Sequence, residues 1–172
     1  MTMIIDLANV GTTAKIIERT FEPAEIDLEG ERVTLSGKVA FNGEIERVNG
    51  KGNLRGTIKT AVLLDCSRCL EPVAMHLEFP SRAIFVDLSD ENTDAEAEVC
   101  DEALDESLVE GGRIDMAEVV REQILLAIPE QIFCREDCKG LCPKCGANLN
   151  LIDCKCADDE LDPRWAALKN LK

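Results

Sequence analysis

The sequence has few of the residues on which many enzyme active sites depend. Its 172 residues include one histidine, one tryptophan and no tyrosine, and aromatic side chains make up only 3%. The histidine, His76, falls in a strand pattern, so we expect no Ser-His-Asp machinery, and no glycine-rich phosphate-binding loop is present. We therefore predict a protein that is not an enzyme and that has a mainly aliphatic core.

Positive charge is also scarce. The chain has 19 lysine and arginine residues against 34 aspartate and glutamate residues, which gives a formal net charge of -15. Sequence-independent binding to nucleic acid depends on lysine and arginine. Any contact with nucleic acid is therefore expected to come from a local basic patch or through a protein partner.

Long apolar runs are lacking as well. No run approaches the roughly 18 residues that indicate a membrane span, and the start of the chain does not have the pattern of a signal peptide. We expect a cytoplasmic protein with no membrane contact. In a reducing compartment cysteines more often bind metal than form disulfides, and the odd count of nine argues against a complete disulfide framework.

The first half of the chain, residues 1–88, predicts a β-rich domain. Val33, Leu35, Val39 and Phe41 share one parity, which is typical of a half-buried strand. Further strands are predicted at 15–21, 57–64 and 73–86, the last bent near Pro80. Asn49-Gly50 and Gly52-Asn53 have the chemistry of turns. Short antiparallel strands at this spacing favour a small barrel or a strongly bent sheet.

The second half changes character. Residues 89–112 are rich in carboxylates and predict an acidic loop or linker. In the segment 113–133, Asp115 and Glu118 fit a helix-capping box, and Pro129 ends an amphipathic helix that we expect to pack on the β-domain. Residues 157–172 predict a helical tail, because Asp162 and Pro163 favour a helix start. The predicted class is α+β, with a zinc-binding module near the C-terminal end.

Six of the nine cysteines cluster in residues 134–156. They are Cys134, Cys138, Cys142, Cys145, Cys154 and Cys156. The two-residue spacer of Cys142-Pro-Lys-Cys145-Gly146 lets both thiolates meet one ion, and the glycine permits a tight turn after the second ligand. Zinc needs four ligands, so two sets stay open: the first four cysteines, or the Cys142/Cys145 knuckle with the last two.

A second pair, Cys66 and Cys69, follows a predicted strand. It could form half of another zinc site or supply ligands to the first. Arg68 lies between the two cysteines, and an arginine on a rigid turn can clasp a phosphate or a carboxylate. A CxxC pair is also the dithiol motif of redox enzymes, which place it at a helix N-terminus. Here the knuckle lies instead in a stretch rich in Gly, Asn and Pro.

These motifs together resemble a known family. Cys66-x-Arg68-Cys69-Leu70-x-Pro72 is followed by an acidic stretch, a helix ending in Ala127-Ile-Pro129, and Cys138-Lys-Gly-Leu-Cys-Pro-Lys-Cys-Gly-Ala-Asn-Leu-Asn150. The chain is similar to the YceD family of large-subunit ribosomal RNA accumulation proteins, in its cysteine-rich form. The resemblance implies a non-catalytic role in accumulating or processing the large-subunit RNA precursor, and it marks Cys66, Arg68, Cys69 and the run 134–156.

Two hypotheses follow for the mode of action. In the first, the protein is an assembly adaptor whose acidic surface holds a basic ribosomal protein, with no small-molecule substrate. Precursor RNA would then contact Arg68 or the basic residues of the zinc module, which are Arg135, Lys139, Lys144 and Lys155. In the second, the protein is a thiol-based redox enzyme or sensor that uses a CxxC pair.

Overall fold

The computed structural model of the chain describes residues 3–28, 33–88 and 106–156. These residues form eight strands and one α-helix. The strands are β1 (Ile4–Asp6), β2 (Lys15–Phe21), β3 (Val33–Leu35), β4 (Val39–Val48), β5 (Lys51–Asp65), β6 (Pro72–Asp87), β7 (Glu106–Val109) and β8 (Arg113–Asp115), and the helix is α1 (Met116–Ala127). No helix in this described part of the chain is long and apolar enough to span a bilayer.

Six strands form one open sheet. Its order is β2-β4-β5-β6-β7, with β3 also paired to β5, while β1 and β8 form a separate two-stranded sheet. All pairs are antiparallel except β6 and β7, which run parallel. The α+β class is confirmed. Of the two predicted forms, a small barrel or a strongly bent sheet, the structure does not support the barrel. Closure would require the end strands β2 and β7 to pair, and in the described ranges they lie at opposite ends of the sheet.

The long strand β5 explains why the strand predicted from Val33 to Phe41 divides in two. β3 pairs with the end of β5 near Leu64, whereas β4 pairs with its beginning, from Lys51 to Lys59. The Asn49-Gly50 turn is confirmed, with φ of 52° and 83°, which asparagine and glycine tolerate.

One other local prediction differs from the structure. Gly52-Asn53 lies inside β5 instead of forming a turn. The strand predicted at 73–86 corresponds to β6, which runs through Pro80 as one strand. In the described part of the chain β6 pairs with β7 only from Ile84 to Asp87, so at Pro80 one side of β6 is an edge, where proline is tolerated.

A row of small residues crosses the middle of the sheet. Gly43, Gly56 and Ser81 are register partners on adjacent strands β4, β5 and β6. A Cβ added to Gly56 would lie 2.8 Å from Cζ of Phe41 and 2.9 Å from Cα of Gly43. The absence of side chains at the two glycines therefore gives the buried Phe41 ring its place against the sheet.

Helix α1 closes the core as the sequence predicts. Asp115 caps it by accepting a hydrogen bond from the Ala117 N–H at 2.9 Å, and the helix ends two residues before Pro129. Met116, Val119, Val120 and Ile124 are buried, whereas Ala127 at the end of the helix is only half-buried. These buried residues share one hydrophobic cluster with the sheet, so the helix fixes where the following segment leaves the β-domain.

The acidic segment is partly structured. Of residues 89–112, those from 106 onward are described, and Glu106–Val109 forms strand β7 instead of the expected loop. Glu106 forms an ion pair with Lys51, so at least one carboxylate of the acidic segment has a structural role. The remainder of the acidic segment, including Cys100, and the predicted tail at 157–172 lie outside the described residues.

Candidate metal centres

The eight described cysteines form two groups of four. Site 1 consists of Cys66, Cys69, Cys134 and Cys138, and site 2 consists of Cys142, Cys145, Cys154 and Cys156. In each group all four sulfurs lie within 4.8 Å of one another. The Sγ atoms of Cys66 and Cys138 are 3.9 Å apart, and those of Cys69 and Cys134 are 3.6 Å apart. A tetrahedral ion with metal–sulfur bonds of about 2.3 Å would separate its sulfurs by about 3.8 Å, so these distances fit.

Site 1 joins distant parts of the chain. Cys66 and Cys69 lie in the loop between β5 and β6, while Cys134 and Cys138 follow helix α1. Two hydrogen bonds attach this second segment to the loop: the Ser67 N–H donates to the carbonyl of Ile132 at 2.7 Å, and the Ile132 N–H donates to Ser67 Oγ at 3.0 Å. Cys134 and Cys138, the first two cysteines of the predicted module, are therefore held against the β-domain.

Site 2 is assembled locally. The Cys142/Cys145 knuckle is paired with Cys154 and Cys156, which matches one of the two sets left open by the sequence. A turn at Asn148 brings the second pair back, with the N–H groups of Leu151 and Ile152 both donating to the Asn148 carbonyl at 3.0 Å. The other set, in which Cys134 and Cys138 would join the knuckle, does not correspond to the sulfur groups in the structure.

The two CxxC loops have the same backbone hydrogen bonds. In site 1 the Cys66 N–H donates to Glu71 O at 2.9 Å, and the Leu70 N–H donates to Cys66 O at 3.0 Å. In site 2 the Cys142 N–H donates to Ala147 O at 2.8 Å, and the Gly146 N–H donates to Cys142 O at 2.9 Å.

The residue after the second cysteine is left-handed in both loops, with φ of 60° at Leu70 and 71° at Gly146. Glycine adopts this conformation without strain, but leucine does not. Both loops are therefore knuckles of one type, and site 1 maintains its knuckle with a residue that disfavours it.

The two sites differ in burial. In site 1, Cys66, Cys69 and Cys138 are buried and only Cys134 is exposed. In site 2, Cys142 is buried, Cys154 is intermediate, and Cys145 and Cys156 are exposed. Solvent and reagents therefore reach two sulfurs of site 2 but one of site 1.

Backbone and side-chain donors favour a thiolate at one cysteine of each knuckle. Burial acts against ionisation of Cys66, yet the N–H groups of Arg68, Cys134 and Cys69 outweigh it and lower the pKa to about 6. The N–H groups of Cys145 and Lys144 lower the pKa of Cys142 to about 6 as well. These N–H groups converge on the sulfurs in the way that stabilises metal-bound thiolates.

Other cysteines in each group are shifted in the opposite direction. Although Cys134 is exposed as a residue, the groups around its sulfur remove water from it, and this desolvation together with the neighbouring sulfurs of Cys69 and Cys138 raises its pKa to about 12. The Cys145 sulfur, followed by burial, raises the pKa of Cys156 to about 12. Four thiolates so close together repel one another, so full ionisation requires a cation between them. The chemistry of both donor sets therefore fits a soft divalent metal ion.

Asn150 connects the two sites. It lies in the segment of site 2, but its Nδ2 donates to Sγ of Cys138 in site 1 at 3.4 Å. Its Oδ1 accepts from the Lys139 N–H at 2.8 Å, which fixes the orientation of the amide. Such outer contacts orient metal ligands. The sequence signal was the Asn148-x-Asn150 pattern after the knuckle, which by itself assigns no partner.

Arg68 has a structural position beside site 1. Its Nη1 donates to Cys138 O at 3.0 Å and to Glu136 O at 3.4 Å, and its guanidinium lies 4.3 Å from the centroid of the Phe133 ring. The four basic residues predicted to contact RNA, Arg135, Lys139, Lys144 and Lys155, are all exposed along the cysteine-rich segment. Arg135 also lies 3.4 Å from Asp137.

The fold and the sulfur geometry define a β-rich α+β protein with two four-cysteine groups that could each hold a metal ion. The chain belongs to the YceD family: the family model described as large ribosomal RNA subunit accumulation protein YceD matches residues 54–172, which include both sites and the helix between them. The family predicted from the motifs is therefore confirmed.

Several relatives show the same likeness. The uncharacterized protein YlbN of Bacillus subtilis is 32% identical over 159 residues, covering 82% of this chain and 85% of its own. The uncharacterized protein Rv2926c of Mycobacterium tuberculosis is 28% identical over 96% of this chain and 79% of its own. The chloroplastic large ribosomal RNA subunit accumulation protein YCED homolog 1 of Arabidopsis thaliana is 41% identical over 59 residues, 34% of this chain and 18% of its own. No solved structure matches.

Proposed function

We propose that this protein is a non-catalytic factor in the cytoplasm that promotes accumulation or processing of the large-subunit ribosomal RNA precursor during ribosome assembly. It acts as an adaptor whose binding surfaces are held in shape by two zinc ions. The observation that carries this proposal is the pair of four-sulfur groups within the part of the chain that matches the YceD family.

Zinc is the metal that suits these donors best. Four cysteine thiolates in a tetrahedron are the usual ligand set of structural zinc sites, and such sites leave no coordination position open for a substrate. Site 1 and site 2 would each hold one ion, which supports a structural rather than a catalytic role. Zinc binding then supplies folding free energy to a segment that has little core of its own.

The distribution of charge supports two kinds of partner on different surfaces of the protein. The net charge of -15 suits a basic ribosomal protein as one partner, because complementary charge speeds encounter and selects partners. The exposed Arg135, Lys139, Lys144 and Lys155 provide a local contact with precursor RNA, and binding through such residues weakens as salt rises.

A thiol-based redox function is the second candidate, and one observation favours it. The pKa of Cys66 and that of Cys142 are both lowered to about 6, as in reactive cysteines. However, each of these sulfurs is buried and lies among three others, and neither knuckle lies at the start of helix α1. Slow alkylation of the zinc-loaded protein at both cysteines would count against this function.

The test is sedimentation of the tagged protein from gently lysed cells on a sucrose gradient. Zinc and precursor ribosomal RNA are assayed in every fraction, at low and at high salt. We expect two zinc ions per chain and co-migration with large-subunit precursors that is lost at high salt. Protein that stays at the top of the gradient at low salt, with no precursor RNA, would contradict the adaptor role.

A further inference from the structure

A groove of about 760 Å³ lies beside site 1. One wall is the site 1 knuckle, from Leu64 to Leu70, and the other is the segment Ile128–Phe133 that leaves helix α1. Its volume falls in the range of pockets that bind small molecules or single residues of a polymer, about 300–1,000 Å³. Cys66, Arg68 and the hydrogen-bonded pair Ser67–Ile132 form its walls, and the space between them is open to a ligand.

An exposed cation–π pair, Arg68 and Phe133, forms part of the groove. The Arg68 guanidinium lies 4.3 Å from the Phe133 centroid, and both side chains are exposed, Phe133 by 37%. Only Nη1 of Arg68 has a hydrogen-bond partner among the described residues, which leaves Nε and Nη2 as donors. Aromatic rings and guanidinium planes are the surfaces on which unpaired nucleobases stack.

The polar groups around this stack favour a base over a phosphate. The exposed carboxylates of Asp65 and Glu130 also line the groove, and they repel phosphate but accept hydrogen bonds from exocyclic amino groups. Leu70, 58% exposed, adds an apolar contact at the same place. A flat ligand that carries an amino group and no negative charge therefore makes more favourable contacts with the groove than a phosphate does.

From these contacts we infer that the groove binds one unpaired nucleobase of single-stranded RNA, stacked on the Arg68–Phe133 pair. Bases with an exocyclic amino group, such as cytosine, bind more tightly than uracil. The inference rests on the proposed function for the identity of the RNA, but the base site itself does not require ribosomal precursors. An extended peptide is the competing occupant of such a groove, and it would lack the dependence on the base that the test below measures.

The test uses the full-length, zinc-loaded protein and fluorescein-labelled RNA hexamers of cytosine, of uracil and of abasic ribose phosphate. Affinity is measured by fluorescence anisotropy over a range of salt concentrations. The test variant is Phe133→Ala. The matched control is Leu126→Ala, which removes an exposed apolar side chain of α1 that does not line the groove. Unchanged zinc content and circular dichroism verify the fold of both variants.

We expect the cytosine hexamer to bind more tightly than the uracil hexamer, and the abasic hexamer to bind least. Phe133→Ala is expected to weaken binding of the cytosine hexamer about 5- to 150-fold, the range for loss of one base stack, with little change in the salt slope. Leu126→Ala leaves affinity unchanged. A Glu130→Gln variant reduces the preference for cytosine.

Two results would overturn the base site: equal binding of abasic and base-bearing hexamers, or unchanged affinity in Phe133→Ala. Absence of hexamer binding also overturns it. These failures differ from failure of the proposed function. Wild-type protein that co-migrates with precursors but does not bind hexamers refutes only the groove. Hexamer binding through Phe133 without co-migration refutes only the ribosomal role.

Discussion

Site 1 and site 2 are built around the same knuckle but are connected to the fold in different ways. The cysteines joined in site 1 are up to 72 positions apart in sequence, and they link the β5–β6 loop to the segment after α1. Site 2 lies entirely between Cys142 and Cys156. Closing a longer loop restricts the unfolded chain more, so a metal at site 1 is expected to stabilise the whole fold and a metal at site 2 only its own segment.

The backbone conformations of the two knuckles agree with this difference in connectivity. Leu70 holds a left-handed conformation with φ of 60°, which costs a non-glycine residue about 1–2 kcal/mol. Such strain persists only where the surroundings over-determine the backbone, and site 1 has those surroundings in the Ser67–Ile132 hydrogen bonds and the Arg68 contacts. Site 2 has fewer tertiary contacts and uses Gly146.

The largest expected effect is a fall in the free energy of unfolding when a ligand of site 1 is removed. Cys66→Ser removes a buried ligand of site 1, and we expect it to lower the free energy of unfolding by about 4 kcal/mol, because loss of a metal is among the most costly substitutions. For a chain of this size that corresponds to a fall of about 10 °C in Tm. Thermal unfolding followed by circular dichroism at β-sheet wavelengths measures it, with zinc content determined in parallel.

The matched variant for that measurement is Cys145→Ser in site 2. It should lose one of two zinc ions and unfold the segment 142–156. Because the Asn150–Cys138 contact is lost with that segment, the Tm of the β-sheet should fall slightly, by less than half the fall expected for Cys66→Ser. Equal falls in Tm for the two variants would show that the two sites stabilise the fold equally. This would contradict the inference that only site 1 stabilises the whole fold.

A smaller effect is expected at the residue that joins the sites. Asn150→Ala removes the hydrogen bond to Sγ of Cys138, so it should weaken metal binding at site 1 by about 10- to 100-fold, the usual cost of losing an outer contact to a ligand. Competition with a chromophoric chelator measures this shift, and the same measurement in the Cys145→Ser background, where only site 1 is loaded, assigns one of the two release phases to site 1. The neighbour Leu151, 76% exposed, provides the control Leu151→Ala, and a shift confined to the other phase in Asn150→Ala would refute the link.

These differences mark how far the sequence could lead. The period of two in Val33–Phe41, the Asn49-Gly50 turn and the Asp115 cap are local signals, and local sequence determines them. The knuckle at Cys142 was equally local. Pairing of Cys66 and Cys69 with Cys134 and Cys138 depends on where β5 and α1 end relative to each other, and no local pattern encodes that distance. The predicted barrel failed for the same reason, since closure depends on the pairing of strands far apart in the chain.

The smallest effect tests whether the site 2 knuckle needs its glycine for conformation alone. Gly146 has φ of 71° and no atom lies within 4 Å of an added Cβ, so Gly146→Ala introduces backbone strain of about 1 kcal/mol without a clash. We expect zinc affinity at site 2 to fall about fivefold in the chelator competition. Gly50→Ala is the matched control, because Gly50 has φ of 83° and equally open space but lies in the β4–β5 turn; it should cost similar stability and leave both zinc affinities unchanged. Loss of zinc affinity at site 2 in both variants would mean that metal binding there depends on the stability of the whole sheet. Site 2 would then not be the local unit that its connectivity indicates.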